Sequence, residues 1–408
     1  MNWVTFPGNP DWSIPAIGED GSVYVIGAGR EDFQYTTDTD TLYAYTPELE
    51  LKWKVTLEYN LSNPVIGPSG TIYVASSWGS LHAFSPSGTN LWTFVRPRLF
   101  SFSSVHSASV AISSDEIIYS TYGQADAARV DAVKDGALVR TITNSSNPVI
   151  GPDGTIYVAR WTPPGHLAAL TSDGTEKWSA PYPAPNAIDS EGNLFICSTN
   201  TIVSLSAAGT VRWEQPAAVW GVALGSNDTL YVASRGGTSA LDADTGSILW
   251  RDLLSGTICP RADGGVSILH VGGGGYREPY PGVFKTLGAS GETKSEYSGN
   301  GVNQATVQNI YSWPVRGSSN DVYFVYGISG GGNTTSILVR VPNQDAPADS
   351  LAIASGQEEI VLKIKGTAGI QLQVSTNLLD WHVLQPAEAD TNLVRKSSST
   401  REFFRLSR

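Results

Sequence analysis

Residues 64–95 read PVIGPSGTIYVASSWGSLHAFSPSGTNLWTFV, and residues 148–180 read PVIGPDGTIYVARWTPPGHLAALTSDGTEKWSA. Each begins with a short apolar run and a Gly-bearing turn. A strand of the type Thr-Ile-Tyr-Val-Ala follows, then a second strand, another Gly turn and a Trp. The same order recurs eight times in 408 residues, marked by Tyr24, Tyr73, Tyr119, Tyr157, Phe195, Tyr231, Ile268 and Tyr323. Spacings of 36 to 55 residues are those of propeller blades rather than of helical or leucine-rich repeats. No stretch sustains apolar residues at i, i+3, i+4 and i+7, so helices have little support. Each copy reads as four short strands; in the second copy strand a is 64–67, b is 71–75, c is 81–84 and d is 91–95.

The turns agree with this. Links of the PSG, PDG, SEG and SND type join strands a and b, and PSG, KDG, SDG, AAG, DTG and ASG join c and d. Gly supplies a positive φ, and Asp or Ser bonds the local backbone. Such links make antiparallel hairpins. Strand d carries Trp53, Trp92, Trp178, Trp213 and Trp250, with Arg140 and Ser295 in the slot of the third and seventh copies. The eighth copy ends before a strand d. Trp3-Val4-Thr5-Phe6 resembles Leu91-Trp92-Thr93-Phe94, so residues 3–6 are expected to pair near residues 337–341 and close the ring. The expected fold is all-β: an eight-bladed propeller over 1–343, a linker at 344–350 and a small β-sandwich-like module over 351–408.

Ala240-Leu-Asp-Ala-Asp-Thr-Gly-Ser-Ile-Leu-Trp250 resembles the repeat of quinoprotein (PQQ-like) β-propellers. That family includes quinoprotein alcohol dehydrogenases and the lipoprotein propeller of outer-membrane assembly. The resemblance spans about residues 1–343 and implies the fold; its repeated residues are turns and blade-packing groups. The dehydrogenases carry an adjacent Cys-Cys pair over the quinone, and this chain has only Cys197 and Cys259. It also lacks Cys-x-x-Cys-His for haem. No quinone catalysis and no cofactor are expected, and two buried free thiols are. The five His are scattered, with no cluster at zinc spacing, so no metal is expected.

A net charge of −12 and a pI near 4.9 disfavour nucleic acid, which needs a basic footprint. No apolar run is long enough to span a bilayer. Met1, the only Met, is followed at once by a strand-like segment. That start fits a leader already removed from a periplasmic or extracellular protein. In the tail, residues 373–381 (QVSTNLLDW) and the closing Phe403-Phe404-Arg405-Leu406 resemble a C-terminal module common on secreted proteins of the Verrucomicrobia and Planctomycetes type. That resemblance implies export and no chemistry.

The a–b and c–d turns share one face of the disc and are too tight for a site. The b–c and d–a loops share the other face and carry bulky and charged groups, as functional loops on a rigid scaffold do. Expected ligand contacts are Trp78, Asp126, Trp161, Tyr276, Arg277, Glu278 and Tyr280, because aromatic faces and Arg forks suit sugars. Carbohydrate binding without catalysis, by a monomer, leads. A polysaccharide lyase or glycosidase is the alternative, with His106 and Tyr122 as base and acid and Arg98 and Arg160 neutralising a uronate. A protein-assembly scaffold is the third class.

Overall fold

A computed structural model describes residues 2–7, 14–28, 39–58, 61–76, 79–96, 109–123, 128–161, 165–197, 200–270, 283–298, 314–317, 321–330 and 333–341, and six strands between residues 350 and 407. The first 341 residues contain eight four-stranded antiparallel sheets, each with its strands in sequence order except the last. Blade 2 comprises Val65–Ile66, Ile72–Ala75, Ser80–Phe84 and Asn90–Val95. Blade 3 comprises Val110–Ile112, Ile118–Tyr122, Arg129–Lys134 and Ala137–Thr143.

Blade 8 is built from both ends of the ring. Asn2–Pro7 pairs antiparallel with Asn333–Val341, in the register Trp3↔Val339 and Phe6↔Ser336. The expected closure by the N-terminal strand is therefore present. Tyr323 of the same blade donates to Pro47 O of blade 1 at 3.2 Å, across the seam.

The core lies between blades rather than within one central mass. Tyr24 and Leu42 of blade 1 pack with Ile72, Val74 and Phe84 of blade 2, and similar clusters join each next pair up to blades 6 and 7. A further cluster joins blade 8 to blade 1. Each strand-d Trp lies against the Tyr or Phe of its own strand b, with centroids 5.8 to 6.0 Å apart. In four of the five the indole N–H reaches into the next blade. Trp53, Trp178, Trp213 and Trp250 donate to Pro86, Ala207, Ala243 and Ala289 O at 2.8 to 2.9 Å. Gly246 covers the Trp213 ring so closely that a β-carbon there would lie 2.6 Å from it, and its φ is +70°. Only Gly meets both demands. Arg140 replaces Trp in blade 3 and donates through Nη1 to Ser172 O of blade 4, the same link made by a guanidinium.

The marker position of blade 7 needs correcting by one residue. The backbone pairing Arg261 N to Gly265 O, and Cys259 opposite Ser267, puts Ser267 where the other blades have Tyr or Phe. Ile268 is its neighbour. The slot across the blade thus holds Ser267, Thr286 and Ser295 instead of an aromatic pair. Among the described residues, no apolar cluster joins blade 7 to blade 8.

In the tail, Ser350–Ser355, Glu359–Lys365 and Thr391–Lys396 form one three-stranded sheet. Ile370–Ser375, His382–Ala387 and Phe403–Ser407 form another.

Candidate functional site

Strand b of each blade ends, and strand c begins, on the long-loop face. In blade 3 those ends carry Tyr122 and Arg129, with Asp131 two residues further along strand c. The outer strand of blade 2 ends at Val95, and Arg96 follows it. Blade packing brings these four together. Arg96 Nε donates to Asp131 Oδ2 at 2.6 Å, and the two side chains are 1% and 2% exposed. Thr141 donates to the other carboxylate oxygen at 2.7 Å. Both guanidinium groups lie over the Tyr122 ring, Arg96 at 5.3 Å and Arg129 at 5.0 Å from its centroid. Gly79, at φ +103°, approaches the same ring, where a β-carbon would sit 3.0 Å from it.

Among the described residues the charges do not cancel. Two Arg face one Asp, and Arg129 Nε stands 3.5 Å from the carboxylate oxygen that Arg96 already occupies. Arg96 Nη2 and Arg129 Nε are buried without a hydrogen-bond partner. Burial is the main force lowering the Arg96 pKa; Asp131 opposes it and Arg129 adds to it.

One blade on, Arg160 ends the equivalent strand, Ile156–Arg160. Its Nη1 donates to Thr143 O at 2.8 Å and Ser145 Oγ at 3.0 Å, tying blade 3 to blade 4. Trp161 is half exposed while its indole N–H is held by Ser146 Oγ at 3.0 Å. Such a ring presents a fixed face to solvent. Two further bulky apolar groups stand out on this face. Trp220 is 60% exposed at a bulge opening Val219–Leu224 of blade 6, and Leu253, just after Ile248–Asp252, is 93% exposed.

Of the expected site residues, Tyr122, Arg160 and Trp161 are described, on adjacent blades. Trp78, Arg98, His106, Asp126, Tyr276, Arg277, Glu278 and Tyr280 lie outside the described residues. Sequence reasoning passed over Arg129 and Asp131. Their signal is faint: two charges alternating on a strand whose neighbours in the other blades are mostly apolar.

Other chemistry is sparse among the described residues. Burial pushes the Cys197 thiol up to about 11 and the Cys259 thiol up to about 12, so neither is an activated nucleophile. No group of three His, Cys, Asp or Glu at metal-binding distance occurs among them. No helix among the described residues is long and apolar enough to cross a membrane. A shallow depression of about 380 Å³ opens on the opposite, short-turn face beside Ser114, Pro152 and Asp189.

A family model described as outer membrane protein assembly factor BamB matches residues 198–278, within blades 5 to 7. No curated protein matches the chain. Among solved structures, the quinohemoprotein alcohol dehydrogenase ADHIIG from Pseudomonas putida HK5 is 10% identical with a TM-score of 0.54, over 86% of this chain and 78% of that one. The Dos1 propeller is 9% identical with a TM-score of 0.53, over 82% and 94%. BamB from Moraxella catarrhalis is 15% identical with a TM-score of 0.37, over 89% and 96%. The eight blades and the two likenesses with TM-scores of 0.53 and 0.54 make the fold an eight-bladed β-propeller, and residues 198–278 are similar to the PQQ-like repeat of the assembly-factor family model.

Proposed function

We propose that this chain is an exported, non-catalytic binding propeller that docks a protein partner on its long-loop face. The carrying observation is the set of exposed bulky groups there: Trp161 at 50%, Trp220 at 60% and Leu253 at 93%. Large apolar side chains rimmed by polar groups mark interaction surfaces, and Trp is enriched at their energetic centres. Two of the three fall inside residues 198–278, the stretch matched by the assembly-factor model. Raised thiol pKa values argue against covalent catalysis by cysteine. Export is supported by the likeness of the tail to modules of secreted proteins.

The test is a photo-crosslinking residue placed at position 220 or 253 in living cells. Discrete protein adducts at both positions, and none at Val211 on the outer rim, are the expected outcome. Equal labelling at all three positions would overturn the docking surface.

Carbohydrate binding is the second reading, favoured by Trp161, whose anchored edge and open face suit stacking on a sugar ring. A glycan array with wild type and Trp161→Ala separates the two: glycan binding lost in the variant would favour the sugar. For a lyase or glycosidase, the described Tyr122 is enclosed by Arg96, Arg129 and Gly79, so that alternative turns on His106 and Arg98. Release of unsaturated products from uronate polymers, lost in His106→Ala, is its test.

A further inference from the structure

Arg96 and Arg129 are held against Tyr122 by contacts with blades 2 and 3, yet their charge is only half met. Among the described residues one carboxylate, Asp131, serves two guanidinium groups, leaving a formal surplus of one positive charge. Surplus charge away from water is costly unless an opposite charge joins it. Two N–H groups are already stripped of solvent and unbonded, Arg96 Nη2 and Arg129 Nε. Arg129 keeps its side chain 24% exposed, so the cluster is reached from the long-loop face through the open part of that guanidinium and not through the two buried N–H groups. We propose that Arg96 and Arg129 form a subsite for a monoanionic carboxylate, presented by an acidic side chain of the docked protein partner.

The charge balance favours a monoanion. One carboxylate brings the cluster to neutrality, whereas a dianionic phosphate would leave a buried negative surplus. Guanidinium groups also match the planar carboxylate by paired N–H donation, which a point charge does not. The choice of a protein carrier rests on the docking reading above; the carboxylate subsite itself does not.

The bare group is tested with sodium acetate against sodium chloride at equal ionic strength, following the thermal midpoint of the whole chain. Acetate is expected to raise the midpoint in wild type, because a ligand that binds only the folded state stabilises it. Arg129→Gln is expected to weaken acetate binding about tenfold, the scale of one charge-assisted hydrogen bond. Arg129→Lys, which keeps the charge and loses the fork, should fall between, and serves if the Gln variant folds poorly. Sodium phosphate at the same ionic strength should stabilise less than acetate. No effect of acetate, or an equal effect in Arg129→Gln, overturns the subsite. The carrier is tested separately, by the adduct at position 220: Arg129→Gln should reduce it, and an undiminished adduct overturns the protein carrier while acetate binding stands. Glucuronate stabilising the chain more than both acetate and a Glu-containing peptide overturns the protein carrier in favour of a uronate. Loss of all adducts with acetate binding intact removes the docking surface and keeps the subsite.

Discussion

Single side chains carry the ring's internal logic. Trp213 combines three roles: it is buried, its ring lies 6.0 Å from that of Phe195, and its N–H bonds Ala243 O in the next blade. Trp213→Ala should therefore lower stability by about 3–5 kcal/mol, measured by denaturant unfolding. Ser267 makes the opposite case. Its hydroxyl is buried and unpartnered, so Ser267→Ala is expected to raise stability by about 1 kcal/mol. Ser295→Ala should lower it by a similar ~1 kcal/mol, since Ser295 is hydrogen-bonded to Thr286. Asp20 supplies a pH dependence. Burial pushes its carboxyl up, but the Ser22 hydroxyl and N–H and the Lys52 ammonium hold it down to about 2, below the ordinary 3.8. A lowered folded value means stabilisation present above pH 3.8 and lost as the pH falls towards 2. The stability gap between wild type and Asp20→Asn should close over that window. The gap itself is small, because the pair is largely exposed.

At the scale of strands and blades, the sequence was legible wherever one residue type answers a local geometric need. Gly at a positive φ over a Trp ring leaves a pattern that survives from copy to copy, as at Gly88, Gly209 and Gly246. Blade 7 keeps such a Gly, Gly291 over Trp250, but lost the aromatic pair of its own slot. With no aromatic in the slot, Ile268 looked like the marker, and only backbone pairing reveals Ser267 there. The cluster on blade 3 was hidden for another reason. Arg96 and Asp131 are 35 residues apart, and nothing in either strand signals the other; packing of two blades creates the pair. Arg160 and Trp161 were visible as bulky groups, but their anchoring by Ser145 and Ser146 was not. The missing aromatic pair also has a consequence at this scale. Strands Val266–His270 and Thr293–Ser298 should lose amide protection earlier in hydrogen exchange than Ile156–Arg160 of blade 4, which packs in apolar clusters towards both neighbouring blades.

For the whole molecule, closure and two-facedness matter most. Pairing of Asn2–Pro7 with Asn333–Val341 removes an open edge that would otherwise invite pairing with other chains. Removing residues 2–7 should expose that edge, seen as lost amide protection over 333–341 and as self-association. The two faces then differ in kind. One bears tight turns around a shallow depression; the other bears exposed Trp161, Trp220 and Leu253 and the unbalanced Arg pair. Photo-crosslinking from matched positions on both faces tests this division most directly. Adducts to a protein partner from positions 161, 220 and 253, and none from position 152 or 190, are predicted. Adducts confined to positions 152 and 190 would contradict it.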